Sequence, residues 1–295
     1  MAQAPKRKRR LGDRHDARKV RTLQPMQYIM PFIMKDRCDG QNYFNASIDC
    51  DYLEDYIRQK REEGLVGFGM MHIIIAGYVR MVSQFPGINR YVAGQRIFAR
   101  DEIVVSMMVK KEMKVNAQDS AIKVRFSPSD TIYDVYNKIN KQIEIATAAG
   151  DTNGFDKIAR LLVKLPAPIL RGFVGLMKTM DYFGIMPRII DEVSPFHASM
   201  FISNLGSLGI PPIYHHIYNF GNISVFITFG AKHKELKLNA DGSVSEHYVV
   251  DYTVVTDERF TDGHYFANAF KGLQKLFKNP QKLDTPPEKV VYDVD

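Results

Sequence analysis

Two long apolar strands near the C-terminal end constrain this chain more than any other feature. Residues 222–231, NISVFITFGA, form a near-continuous apolar run. Residues 234–256, KELKLNADGSVSEHYVVDYTVVT, read as a hairpin whose turn is Asp241-Gly242, a pair suited to the tight turn between antiparallel strands. The next segment, residues 263–280, places Phe266, Phe270, Leu273 and Phe277 at helical spacing and ends at Pro280. A sheet with a helix laid on it is the natural solution.

The rest of the chain supplies partners for that sheet. Residues 41–50, 103–113 and 121–126 read as strands, with 114–119 as the connection between the last two. Residues 51–64 read as a helix that starts at Asp51 and stops at Gly64. Residues 69–86 read as a second helix, apolar nearly all round, stopped by Pro86. Residues 130–149 read as an amphipathic helix capped by Asp130, with Ile132, Val135, Ile139 and Ile143 on one face. Residues 24–37, QPMQYIMPFIMKDR, carry two prolines and alternating apolar positions, and read as an extended arm. Residues 151–195 are irregular, with apolar helical pieces broken by Pro166 and Pro168. Such pieces pack on a sheet, against another subunit or on a membrane surface. The order of elements indicates an α+β chain with a mixed sheet and helices on a face.

Charge and composition narrow the class. Of 295 residues, 45% are hydrophobic and 25% charged, as in ordinary globular proteins. The longest apolar helix, around MMHIIIAGYV, falls short of the roughly 20 residues needed to span a bilayer, so no transmembrane segment is expected. Cys38 and Cys50 make no disulfide framework, which points to a reducing, cytoplasmic setting. The net charge is +7, and residues 1–23 account for it with nine Lys or Arg and two Asp. That segment reads as a solvated tail or as a patch for an acidic partner: nucleic acid, acidic lipid or protein. It has no interleaved aromatics to stack on bases. The expected division is a basic tail and arm over 1–34, one domain over 35–280, and an exposed tail over 281–295.

Three blocks carry a family resemblance: HIIIAGYVRMVSQFPGINRYV (72–92), ASMFISNLGSLG (198–209) and VVDYTVVTDERFTDG (249–263). In this order and spacing the chain resembles the catalytic domain of dihydrolipoamide acyltransferases, whose fold chloramphenicol acetyltransferase shares. The resemblance implies a two-layer sandwich and a homotrimer with active sites in channels between subunits. Coenzyme A or acyl-CoA would be the substrate. It implies that Ser203 donates to the tetrahedral oxyanion, and that Asp262, beside Gly263, holds the site together, with Arg37 or Lys35 as its ionic partner. The 34 residues before Lys35 are too few for a lipoyl domain, so no covalent lipoyl site is expected in this chain.

One position departs from the family. The H-x-x-x-D-G histidine is Glu258 here. A free Glu, with a pKa near 4.3, is a poor base toward a thiol near 8.5; the mismatch is on the order of 6 kcal/mol. Arg259 adjoins it, but neighbours on a strand face opposite ways. Three readings follow: activity lost, activity altered with Glu258 as a raised-pKa base, or activity rescued by another base. The substitute candidates are His264, His215 and His216. His215 and His216 also read as parts of a polar loop. His72 reads as a core histidine, and His197 as lining a channel. No set shows metal-ligand spacing, and none is expected to hold a metal. NLGSLG lacks the spacing of a nucleotide loop. The rival to an acyltransferase is a non-catalytic trimeric scaffold that uses its basic tail.

Overall fold

The computed structural model describes residues 8–110, 119–148 and 160–293. The connection at 114–119 and the start of the irregular stretch, 151–159, lie largely outside the described residues.

The hairpin is the longest element. Strands β8 (Val225–Leu238) and β9 (Val244–Asp257) pair antiparallel, and Gly242 closes the turn with φ +83°. Asp241 Oδ1 accepts from Ser243 N at 2.9 Å, the local bond that favours Asp in such a turn. Around the hairpin, β2 (Gln41–Asp49), β5 (Ile103–Lys110), β6 (Asp119–Phe126) and β7 (Met200–Asn204) complete a six-stranded sheet. Its order is β2-β9-β8-β7-β5-β6. β5, β7 and β8 run parallel to one another and the remaining pairs are antiparallel. The sheet is mixed, as expected.

Alternation divides the sheet into two apolar faces. Met200, Ile202, Val225, Ile227, Tyr252 and Val254 face helices α2 (Asp51–Glu62), α3 (Met70–Gln84), α4 (Ile132–Ala148) and α7 (Gly263–Lys278). α7 buries Phe266, Phe270, Leu273 and Phe277, the predicted face. It lies so close to α3 that a Cβ at Gly77 would sit 2.6 Å from Leu273 Cδ1. The other face carries Val104, Phe201, Phe226 and Val255 and is closed by Ile217 and Ile223.

Several boundaries differ from expectation. Residues 25–33 form a helix, α1 (Pro25–Ile33), rather than an extended arm. Pro25 sits at its first position, where the missing N–H costs nothing, and Pro31 sits in the last turn. The N-terminus of α4 is held by Thr131, whose N and Oγ1 both donate to Asp134 Oδ2. Asp130 instead closes the preceding turn on Ser127 N.

The two tails are also tied to the domain. β1 (Ala17–Lys19) joins β4 (Arg96–Arg100) and β3 (Arg90–Ala93) in a small sheet of order β1-β4-β3. Arg14, Ala17 and Val20 are buried, so the basic segment is part-folded rather than wholly solvated. At the other end Leu283 is buried. Asp284 pairs with Lys60 at 3.0 Å, and Asp293 pairs with Arg90 at 2.6 Å. Residues 281–293 are therefore a strap along α2 and α3, not a free tail.

Two further helices, α5 (Ala167–Phe183) and α6 (Arg188–Val193), fill the stretch before β7. Pro166 and Pro168 fall at the start of α5, where proline is tolerated, so they begin the helix rather than break it.

Candidate active site

The end of β9 leads into a tight turn at Glu258 and Arg259, then into α7. Asp257 points to the face covered by residues 211–223 and is almost wholly buried. Arg259 grips it with two bonds, Nε to Oδ1 at 2.8 Å and Nη2 to Oδ2 at 2.7 Å. Arg37 Nε lies 3.6 Å from the same carboxylate. Burial, and then the neighbouring Arg259, push the Arg37 guanidinium down to about 10, while Asp257 opposes that shift. Arg37 Nη1 and Nη2 donate to the carbonyls of Tyr218 and Gly221 at 2.9 and 2.8 Å. The buried charges thus pin the covering segment from below.

This arrangement corrects one expected pairing. Asp262 is exposed and caps α7, accepting from Tyr265 N at 2.9 Å. Arg37 and Arg259 both serve Asp257. Lys35 contributes its carbonyl to Arg259 Nη1 at 3.2 Å. No ion pair reaches Asp262 among the described residues.

Glu258 turns the other way, as neighbour alternation requires. Its Oε2 accepts from Asn42 Nδ2 at 2.5 Å, and its N–H donates to Gly40 O at 2.8 Å. No cation pairs with its carboxylate among the described residues.

Ser203 lies on the same face as Asp257, near the end of β7. It is opposite Thr228 on β8, which is opposite Thr253 on β9. Thr228 and Thr253 meet at 2.6 Å and crowd the carbonyl of Ile213 at 2.6 and 2.5 Å. The Ser203 hydroxyl is half-buried, and no hydrogen bond engages it among the described residues. Glu258 is five residues beyond Thr253, two strands over. Strand spacings place it about 19 Å from Ser203 within one chain. The two family positions do not meet in a single subunit.

His215 does lie on the Ser203 face. Its ring stacks on Phe226 at 4.1 Å and 8°. Phe226 stacks in turn on Phe201, two residues before Ser203, at 4.9 Å. The sheet spacing puts Ser203 about 8 Å from the position under the imidazole. His215 Nδ1 is 2.9 Å from His216 O. A carbonyl only accepts, so Nδ1 carries the proton and Nε2 keeps its lone pair. Burial pushes the His215 pKa below the ordinary 6.5. No partner meets Nε2 among the described residues. His216 is exposed, edge-on to Tyr218 at 4.8 Å. His264 is exposed in the first turn of α7, and its carbonyl accepts from Asn268.

His72 and His197 are both buried. His72 is stacked on Phe68 at 5.4 Å, a core residue as read from its helix. His197 has Nδ1 2.8 Å from Ser194 Oγ. Burial first, and then the charges of Lys123, Arg100, Arg37 and Arg14, hold it well below the usual histidine range.

Sequence spacing missed one cluster. Asp49, Asp51 and His247 converge with potential ligand atoms within 4.8 Å of one another. Both ring nitrogens of His247 are already engaged, by Asp51 Oδ2 at 2.8 Å and Ser245 Oγ at 2.9 Å. The trio caps the start of α2, remote from Ser203. One cleft, of about 180 Å³, is lined by Lys35, Arg37 and Arg259 among others, and a second, of about 400 Å³, by residues 19–29. Neither includes Ser203, His215 or Glu258.

Solved structures of the same shape can now be set beside this geometry. A probable dihydrolipoamide acetyltransferase from Listeria monocytogenes superposes with TM-score 0.56, covering 90% of this chain and 92% of that one at 12% identity. The Azotobacter vinelandii dihydrolipoamide acetyltransferase gives 0.51, covering 88% and 93% at 13% identity. Chloramphenicol acetyltransferase gives 0.50, covering 87% and 96% at 12% identity.

The fold is that of the chloramphenicol acetyltransferase-like acyltransferase domains.

No family model and no curated protein matches the sequence. At these identities the likeness establishes the acyltransferase fold, and the chemistry has to be argued from this chain's own residues.

Proposed function

We propose that this protein transfers an acyl group between coenzyme A and a thiol or hydroxyl acceptor, with His215 as the base. The observation that carries the reading is the state of His215. Its Nδ1 is oriented by a carbonyl, burial favours the neutral imidazole, no partner meets Nε2 among the described residues, and the ring lies on Phe226 on the face that holds Ser203. A base is oriented in this way when a third group fixes its tautomer.

The steps balance without another reactant. His215 Nε2 takes the proton of the acceptor S–H or O–H as that atom bonds to the acyl carbonyl carbon. Ser203 Oγ–H donates to the oxyanion that forms, an interaction that strengthens in the transition state. The bond from acyl carbon to coenzyme A sulfur breaks, and the imidazolium returns its proton to that sulfur. The strand position under the imidazole lies about 8 Å from Ser203 along the sheet, and the acyl carbonyl would bind between the two side chains.

Glu258 is assigned a holding role at the Asn42 edge, since a carboxylate lies far below a thiol in basicity. The Azotobacter structure was solved to study a serine, a histidine and an asparagine in that enzyme's mechanism. A serine–histidine division of labour is retained here, with the histidine moved to another segment. A trimer is part of the proposal. A neighbouring copy would complete the channel beside half-buried Ser203, and a related structure is the cubic core of a multienzyme complex.

The test is consumption of acetyl-CoA and longer acyl-CoAs, with and without dihydrolipoamide, beside light scattering. Turnover by a trimer that falls in Ser203→Ala supports the reading. A trimer with no turnover and no thermal stabilisation by coenzyme A supports the scaffold instead, and a monomer removes the shared channel.

A further inference from the structure

We propose that α5 and the basic N-terminal segment dock this protein on an anionic membrane surface. The inference is independent of the acyl-transfer reading and rests on other residues.

α5 turns one side to the domain through Leu170, Phe173 and Met177, of which Met177 is buried. Ile169, Leu176 and Phe183 recur every seven residues along a second stripe. They are 55%, 55% and 70% exposed, and Ile185 and Ile189 continue the apolar surface at 64% and 69%. Isolated exposed leucines are ordinary, but a run of this kind along one element is an interaction surface. Arg171 and Lys178, also seven apart, fall nearly opposite the stripe on the helical wheel. An apolar face with cations across from it is the pattern of a helix lying in the headgroup region. No described helix is long and apolar enough to cross a membrane, so the contact is with a surface.

Charge selects the occupant. Residues 160–193, through the end of α6, carry five cations, Arg160, Lys164, Arg171, Lys178 and Arg188, against three acids, Asp181, Asp191 and Glu192. Two of the acids already face the N-terminal segment: Arg14 Nη1 lies 2.6 Å from Asp181 Oδ1, and His15 Nε2 lies 3.2 Å from Asp191 Oδ2. These contacts fasten that segment beside α5 and α6. The run Lys6-Arg7-Lys8-Arg9-Arg10 ends four residues before Arg14. Arg10 therefore lies within about 14 Å of Arg14 along the chain. Lys8 and Arg10 are exposed, and Arg9 holds the segment to Asp101. Apolar insertion and a polybasic run are the two signals that together give stable surface binding.

The test is co-sedimentation of the full chain with phosphatidylcholine vesicles, with and without phosphatidylglycerol. Binding is expected to the phosphatidylglycerol vesicles and to weaken as salt is raised. Leu176→Gln with Phe183→Gln should weaken it about tenfold or more. Arg171→Glu with Lys178→Glu should weaken it similarly while leaving the apolar stripe intact. The second pair decides the matter if the first does not fold. Failure of the wild type to sediment with anionic vesicles overturns the proposal. So does binding unchanged by the foldable pair. A lower mass of the Leu176→Gln, Phe183→Gln pair in light scattering also overturns it, because the stripe would then join copies of the chain. Capture of an acidic protein without vesicle binding would assign the face to that partner instead.

Discussion

Arg37 Nε lies 3.6 Å from Asp257 Oδ2, and both residues are almost wholly removed from solvent. The pair joins the start of the domain to the end of its longest strand. Removing one member of a buried pair costs about 3–5 kcal/mol because the other charge is stranded. Arg259 remains on Asp257 in an Arg37→Met variant, so the low end, about 3 kcal/mol, is expected. A urea titration reads it. The loss should grow in the Arg37→Met, Asp257→Asn double variant, because buried Arg259 then loses its carboxylate partner.

Asp262 caps a helix and makes no ion pair among the described residues. Asp262→Ala should lower stability by about 1 kcal/mol, the ordinary value for a lost N-cap. Asp262→Ser should restore most of it. A purely electrostatic role at the site would not be rescued by serine.

Gly221 sits at φ +87°, and a Cβ there would fall 2.1 Å from Phe196 O. Gly221→Ala should therefore cost at least about 2 kcal/mol, from the left-handed backbone and the clash together. The segment that carries His215 should shift with it, so acyl transfer should fall even where the protein stays folded at low temperature.

Lys123 donates to Asp191 O at 2.8 Å, and burial pushes its amine down to about 8 from the ordinary 10.5. Between those values the unfolded chain binds a proton that the folded chain has released. Stability therefore rises with pH across that window. Denaturation midpoints at several pH values should show the rise in the wild type and a flatter line in Lys123→Met. Parallel lines would contradict the assignment.

The elements read well from sequence are those in which one pattern dominates. The faces of α4 and α7 and the Asp241-Gly242 turn follow from spacing and local bonds alone. α1 was hidden because its prolines and short alternation imitate an extended arm. The small β1-β4-β3 sheet was missed because strands of three to five residues carry too little periodicity. The site divides in the same way. Ser203 is readable because its block is distinctive. The role of His215 is not, since its tautomer depends on a carbonyl and its place depends on Phe226, a partner set by strand order. The Arg37–Asp257–Arg259 cluster joins distant segments and leaves no local signal.

The most direct test of the account compares His215→Asn with Glu258→Gln in acyl-CoA turnover across pH. The wild-type kcat/KM should fall as pH drops through a midpoint below 6.5, because the base must be neutral and burial lowers its pKa. His215→Asn should lose about a hundredfold or more and lose that acid limb. Glu258→Gln should keep both the rate, within a few-fold, and the limb. Turnover unchanged in His215→Asn, or abolished in Glu258→Gln, would contradict the account and return the base to the position the family uses.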